Sequence, residues 1–153
     1  MRDAAVGRML IQSDMESGEP LLHRASLPGT LTYQETASES WVLLLDSQIG
    51  TGAAALMAVR VLLDHGVPED HILFCCILVS KVGGVWALKK AYPSQSNVRT
   101  ILTVLMASAE VRIITSWADD ELEERVVDGK RVFAILPGLG SFGDRSVTSS
   151  SSP

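Results

Sequence analysis

The chain has 153 residues, 46% of them apolar, with a mean hydropathy of +0.22 and a net charge of −5. That length suffices for one domain with its own core, and the apolar share excludes an intrinsically disordered chain. The acidic balance and the lack of a basic run argue against nucleic acid or an anionic membrane as the main partner.

The first residues, Met1-Arg2-Asp3-Ala4, lack the apolar core of a signal peptide. Residues 6–28 read as a β-hairpin, because Met9-Leu10-Ile11 and Leu21-Leu22 flank the turn-forming cluster Glu16-Ser17-Gly18-Glu19-Pro20. Residues 29–40 are polar and read as a loop. Trp41-Val42-Leu43-Leu44-Leu45 is an unbroken apolar run, which predicts a strand buried on both faces, as in a parallel sheet. Asp46 ends it, and Ser47, Gln48, Ile49, Gly50, Thr51 and Gly52 form a tight loop. From Ala53 and Ala54 onward the pattern turns helical, with Leu56, Val59, Leu62 and Leu63 at helix spacing and Gly66 where a C-terminal cap glycine belongs.

A loop of this kind has a chemical use. Its glycines allow close backbone approach, and the helix-start amides without helical partners favour an anion, above all a phosphate. Thr51 can add a hydroxyl and Asp46 a carboxylate. The spacing equally fits an ordinary strand-to-helix turn. It is neither a P-loop, since no Gly-Lys-Ser/Thr follows, nor the dinucleotide pattern, which needs a third glycine.

Residues 72–79 form a second buried strand, so that strand, helix and strand make one βαβ unit. Cys75 and Cys76 within it are the only cysteines. As neighbours in a strand they face opposite ways, which makes a disulfide between them unfavourable and points to thiols in a reducing cytosol. His23, His65 and His71 show no metal-ligand spacing with them. The strand is also too short to span a bilayer. A short helix is expected over 85–91, stopped before Pro93, and a strand over 111–115. Residues 120–127 read as a helix capped by Ser116 or Asp119, with Asp120, Glu121, Glu123 and Glu124 in its first turn. That acid cluster reads as a solvated face rather than a metal or acid–base site. Asp128-Gly129 is a turn, Val132-Phe133-Ala134-Ile135-Leu136 the last strand, and Pro137-Gly138-Leu139-Gly140 a loop at its carboxyl end. Residues 148–153 are a Ser-rich tail, expected to be disordered. The class is α/β with a mainly parallel sheet.

Two segments carry a family resemblance. Leu45-Asp46-Ser47-Gln48-Ile49-Gly50-Thr51-Gly52-Ala53-Ala54 resembles the phosphoribosyl-diphosphate (PRPP) motif of phosphoribosyltransferases, an apolar strand with one or two acids and a Thr-Gly turn. Ile135-Leu136-Pro137-Gly138-Leu139-Gly140-Ser141-Phe142-Gly143-Asp144-Arg145 resembles the uracil-binding loop of uracil phosphoribosyltransferases. The wording between them, through Val67-Pro68-Glu69-Asp70, is closest to the C-terminal domain of uridine-cytidine kinase-like proteins. The resemblance covers about residues 6–74 and 102–145. It implies a partial uracil phosphoribosyltransferase-like domain over 1–147, incomplete at its N-terminus, with 75–101 reading as an insertion.

The resemblance implies a fold and a chemistry. The hairpin would be a dimerisation arm, giving a homo-oligomer in a full-length form. Asp46, Ser47, Gln48, Ile49, Gly50, Thr51, Gly52, Ala53 and Ala54 would bind PRPP, with Asp46 as candidate catalytic residue on the ribose hydroxyls or the water shell of Mg²⁺, and no direct metal ligand. Ile135, Gly140, Ser141 and Phe142 would bind uracil or UMP, with Asp144 closing the loop. Phe142 equally reads as core packing and Asp144 as a partner of Arg145. The family reaction makes UMP from uracil and PRPP in pyrimidine salvage, in the cytoplasm. The chain departs from the family at Ser13, near an expected PRPP-contacting arginine, and at Ser141, where Asp or Asn is usual. It also carries no kinase motif. Three readings follow: a catalytic uracil phosphoribosyltransferase; a nucleotide- or uracil-binding or interaction domain without turnover of its own, the C-terminal part of a uridine-cytidine kinase-like protein; or a truncated or misjoined product that folds poorly.

Overall fold

The computed structural model describes residues 4–14, 19–92, 97–100 and 112–138. Strands β1 (Arg8–Ser13) and β2 (Pro20–Ser26) pair antiparallel, as expected for the hairpin, with one irregularity between Leu10 and Ile11. The next segment is more ordered than its polar composition predicts. A short 3-10 turn (Gly29–Leu31) and helix α1 (Gln34–Ser38) bury Leu31 and Ala37 in the core. Two apolar residues in a polar stretch anchor what read as a loop.

Strand β3 (Val42–Ile49), helix α2 (Ala53–Asp64) and strand β4 (Ile72–Ser80) form the expected unit. The two strands run parallel, with Val42 beside Ile72 and Ile49 beside Val79. Helix α2 ends as its sequence predicts: the Gly66 N–H donates to the Leu63 carbonyl (2.9 Å) and the Val67 N–H to that of Leu62 (3.1 Å), satisfying two terminal acceptors. Its buried face, Ala55, Val59 and Leu62, packs on the sheet. Each large side chain sequestered there contributes about 1.5–3 kcal/mol.

After β4 the chain makes a wide helical turn (Lys81–Val85) and then α3 (Trp86–Ala91), whose Leu88 is fully buried. The segment that read as an insertion therefore starts inside β4, and its helical portion packs into the core. Two further strands complete the sheet, β5 (Asn97–Thr100) and β6 (Arg112–Asp119), in the parallel order β3-β4-β6-β5. The class is α/β with a parallel sheet, as expected.

The sheet is not buried on both faces. Val42, Leu44, Ile72, Phe74, Cys76 and Ile113 turn toward the core, whereas Leu43 and Leu45 on the edge strand β3 are 54% and 75% exposed and Ile77 on β4 is 44% exposed. The apolar run in β3 is thus half-covered, because the layer of described residues lies on the other side.

Residues 120–127 are a strand rather than a helix. Strand β7 (Glu121–Val127) pairs antiparallel with β8 (Lys130–Leu136) through Asp128 and Gly129, both at positive φ (52° and 74°). A two-residue turn of that kind matches the twist of paired strands, and the β-branched Val126-Val127 before it favours extension. The acids fall on both faces of the strand and are exposed. Asp120 pairs with Lys81 (2.8 Å), Glu123 with Arg125 (2.6 Å) and Glu124 with Arg131 (3.6 Å), in keeping with a solvated face.

Candidate functional site

The β3–α2 loop lies at the carboxyl end of the edge strand, where ligands of open α/β sheets bind. It floors a cleft of about 570 Å³. Gly52 has φ +87°, a left-handed conformation that a side chain disfavours, and it is the N-cap of α2. The Thr51 hydroxyl accepts the Ala53 N–H (3.3 Å), and the Leu56 N–H donates to the Gly52 carbonyl (2.8 Å) to start the helix. The remaining amides of the first turn have no acceptor within the helix and carry its positive dipole end.

The loop is held from behind. A side chain at Gly83 would strike the Gly50 carbonyl oxygen and come within 2.7 Å of Leu122, and one at Gly84 would lie 2.5 Å from Ile49. The Gly83-Gly84 pair therefore lets the turn after β4 rest directly on the loop backbone. The Ser80 hydroxyl, fully buried, accepts the Gly83 N–H (3.1 Å) and fixes that turn.

Asp46, Gln48, Ile49, Gly50, Thr51, Gly52, Ala53 and Ala54 all line the cleft, as does Ile135 of β8, whose Cγ1 lies 4.0 Å from where a Gly50 side chain would begin. Ser47 does not line it: its N–H donates to Asp46 Oδ1 (2.6 Å), which orients the exposed carboxylate. Gly140, Ser141, Phe142 and Asp144 lie outside the described residues. The structure adds wall residues that the sequence did not single out: Gln12 and Asp14 from the β1–β2 hairpin, Ala55 of α2, and Arg131, Val132 and Phe133 of β8. No local pattern marks Arg131, Val132 and Phe133, which are consecutive and reach the cleft through the pairing of β8 with β7.

The base of the expected uracil loop is also anchored. Asp119, 4% exposed at the end of β6, accepts the Trp117 indole N–H (2.7 Å) and the Gly138 N–H (3.1 Å). Its carboxylate joins the parallel sheet to the turn after β8, a role different from the helix cap expected of it. Among the described residues no trio of His, Cys, Asp and Glu is gathered for a metal ion, and no helix is long and apolar enough to cross a membrane.

The family model of uracil phosphoribosyltransferase matches residues 1–147. The chain belongs to the uracil phosphoribosyltransferase family. Uridine-cytidine kinase-like 1 of Mus musculus is 40% identical to it over 144 residues, covering 94% of this chain and 21% of that protein. Uracil phosphoribosyltransferase of Saccharomyces cerevisiae is 35% identical over 144 residues, covering 94% and 53%. Chloroplastic uridine/cytidine kinase UKL1 of Arabidopsis thaliana is 34% identical over 140 residues, covering 92% and 23%. The chain thus spans about a fifth to about half the length of these family relatives. In fold it is similar to the AQ2163 protein from Aquifex aeolicus, at a TM-score of 0.55 and 20% identity, over 91% of this chain and 51% of that one.

Proposed function

We propose that this chain is a phosphoribosyl- and uracil-binding domain of pyrimidine salvage, part of a uridine-cytidine kinase-like protein, that holds its ligands without turning them over alone. One observation carries the reading: the loop ending in Gly50-Thr51-Gly52 floors a cleft that Ile135, the first residue of the expected uracil loop, also lines. The amides of residues 50–54 would hold a 5′-phosphate, and Asp46 the ribose hydroxyls. Uracil would meet Ile135 and the loop of Gly140, Ser141 and Phe142, with Asp144 closing it. In the family reaction, the bond from ribose C1 to the departing pyrophosphate breaks as uracil N1 bonds to C1, giving UMP. Positive charge builds at C1, so the protein's share is positioning and electrostatics.

Mg²⁺ carried in with PRPP would offset diphosphate charge, and the exposed Asp46 carboxylate suits contact with its water shell. The charge inventory favours binding over turnover. Among the described residues the cleft is lined by two carboxylates, Asp14 and Asp46, and by one guanidinium, Arg131. Expelling pyrophosphate calls for more positive charge than that. In this proposal the domain works in the cytoplasm, with the hairpin as the contact of a homo-oligomer in a longer form.

Two measurements test this. Amide shifts of residues 50–54 on titration with ribose 5-phosphate or UMP should lead all others; shifts elsewhere alone would show the wrong site. Labelled uracil with PRPP and Mg²⁺ should yield no UMP. Formation of UMP that is lost in Asp46→Ala would restore the catalytic reading.

A further inference from the structure

Strand β3 is one edge of the parallel sheet, whose order is β3-β4-β6-β5. It has eight residues, against four in β5, the other edge strand. Its inner side pairs with β4 from Val42 to Ile49. Among the described residues no strand pairs with its outer side, which leaves a row of backbone N–H and C=O groups turned away from the sheet. Edges of this kind are normally blunted by lysine, proline or an inward charge. Trp41-Val42-Leu43-Leu44-Leu45 carries none of these. Trp41, Leu43 and Leu45 share the open face and are all exposed. The Trp41 ring is stacked on His71, with centroids 4.4 Å apart, which holds it against the sheet.

We propose that the outer edge of β3 is an interface for a second copy of this chain, the two β3 strands pairing antiparallel about a twofold axis at Leu43. The occupant of such an edge must be an extended strand, because the exposed groups are backbone donors and acceptors. Its side chains beside residues 41–45 must be apolar and uncharged. The same five residues of a second copy meet both demands. With the axis at Leu43, each Leu43 stands opposite its mate, and each Trp41 stands opposite Leu45 of the other copy. Directly opposed residues of antiparallel strands project from the same face, so the open face gains a cross-strand row of aromatic and aliphatic pairs. Charge selects the same arrangement. Each copy has a net charge of −5, so approach at random is repulsive. The paired stretch is uncharged, and Asp46, the first charge beyond it, falls opposite Ser40 of the other copy. The two Asp46 residues are then about 20 Å apart along the strands, well past the screening length of about 8 Å. The pairing also stops where the cleft begins, since Asp46 is the first residue of β3 that lines it. This surface is separate from the hairpin, and the inference does not depend on the ligand reading.

Sedimentation equilibrium of the chain over a wide concentration range should show a monomer–dimer equilibrium. Leu43→Lys puts two like charges face to face and should weaken it about tenfold or more. Leu10→Lys, an equally exposed site on the hairpin, should change it less than about twofold. A register test stands beside these, in a Cys75→Ser background in which the remaining thiol, Cys76, is buried. Leu43→Cys should oxidise to a disulfide-linked dimer. Leu45→Cys should not, because its two copies stand about 13 Å apart, beyond the reach of a disulfide. Amide circular dichroism checks that each variant is folded. A chain that stays monomeric at every concentration overturns the proposal, and so does a dimer that survives Leu43→Lys. If both lysine variants dissociate the dimer, the cross-link decides: equal yields at 43 and 45, or none at 43, overturn it.

Discussion

Asp119 shows what a single buried carboxylate does for this molecule. Its hydrogen bonds reach Trp117, two residues back, and Gly138, nineteen residues on. Hydrogen bonds to a charged group contribute about 1.5–3 kcal/mol. Asp119→Ala should therefore cost about 2–4 kcal/mol in urea unfolding, with Asp119→Asn falling between it and wild type. Cys76 gives a second expectation. Burial pushes its thiol above the usual range, and the carboxylate of Asp46 and the neighbouring Cys75 add to this, against a hydrogen bond with Thr115 that lowers it. The folded state thus holds the proton more tightly than the unfolded chain. That stability is fully present below the ordinary thiol range and is lost as pH climbs through the raised value. Cys76→Ala should flatten the alkaline arm of stability against pH without abolishing it, because burial also raises the Tyr92 phenol. Iodoacetamide should reach the half-buried Cys75 first. The β3–α2 loop was legible because its residues are consecutive; Asp119 was not, because its partner Gly138 is remote in sequence.

Elements were legible where the hydrophobic period was unambiguous. Helix α2 and strands β3 and β4 follow from it, and so does the hairpin of β1 and β2. Strand β7 did not, because four acids at its start imitate the charged first turn of a helix. The decisive signal was the turn at Asp128 and Gly129, which commits both flanks to a tight antiparallel pair. Short-range pairing outweighed a weak end preference. The contact between the Gly83-Gly84 turn and the β3–α2 loop is a second element-scale feature that no local pattern announces. Gly83→Ala must displace the Gly50 carbonyl or Leu122. Overpacking of this kind costs about 1–3 kcal/mol. The expected outcome is a destabilised fold whose residual ligand affinity falls further than that of Thr51→Ser, which keeps the hydroxyl that caps Ala53.

At the scale of the whole molecule, the sequence could state that β3 is apolar but not how many layers cover it. A run of five large apolar residues reads the same whether one face or two are packed. The structure packs one, leaving Leu45 exposed while Leu62 of α2 is fully buried. Leu62→Ala should cost about 2–5 kcal/mol, the range of a core truncation, and Leu45→Ala less than about 0.5 kcal/mol. Equal losses would mean that the open face is covered in solution. A spectroscopic consequence follows from the same outward disposition of large side chains. The chain has three tryptophans, and Trp41, Trp86 and Trp117 are 71%, 58% and 49% exposed. Each already meets water when folded, so unfolding moves them from one aqueous setting to another. Native emission should be red-shifted, acrylamide should quench all three, and denaturation should change colour little. Circular dichroism of the amide backbone, rather than indole fluorescence, is the signal by which this fold will be seen to melt.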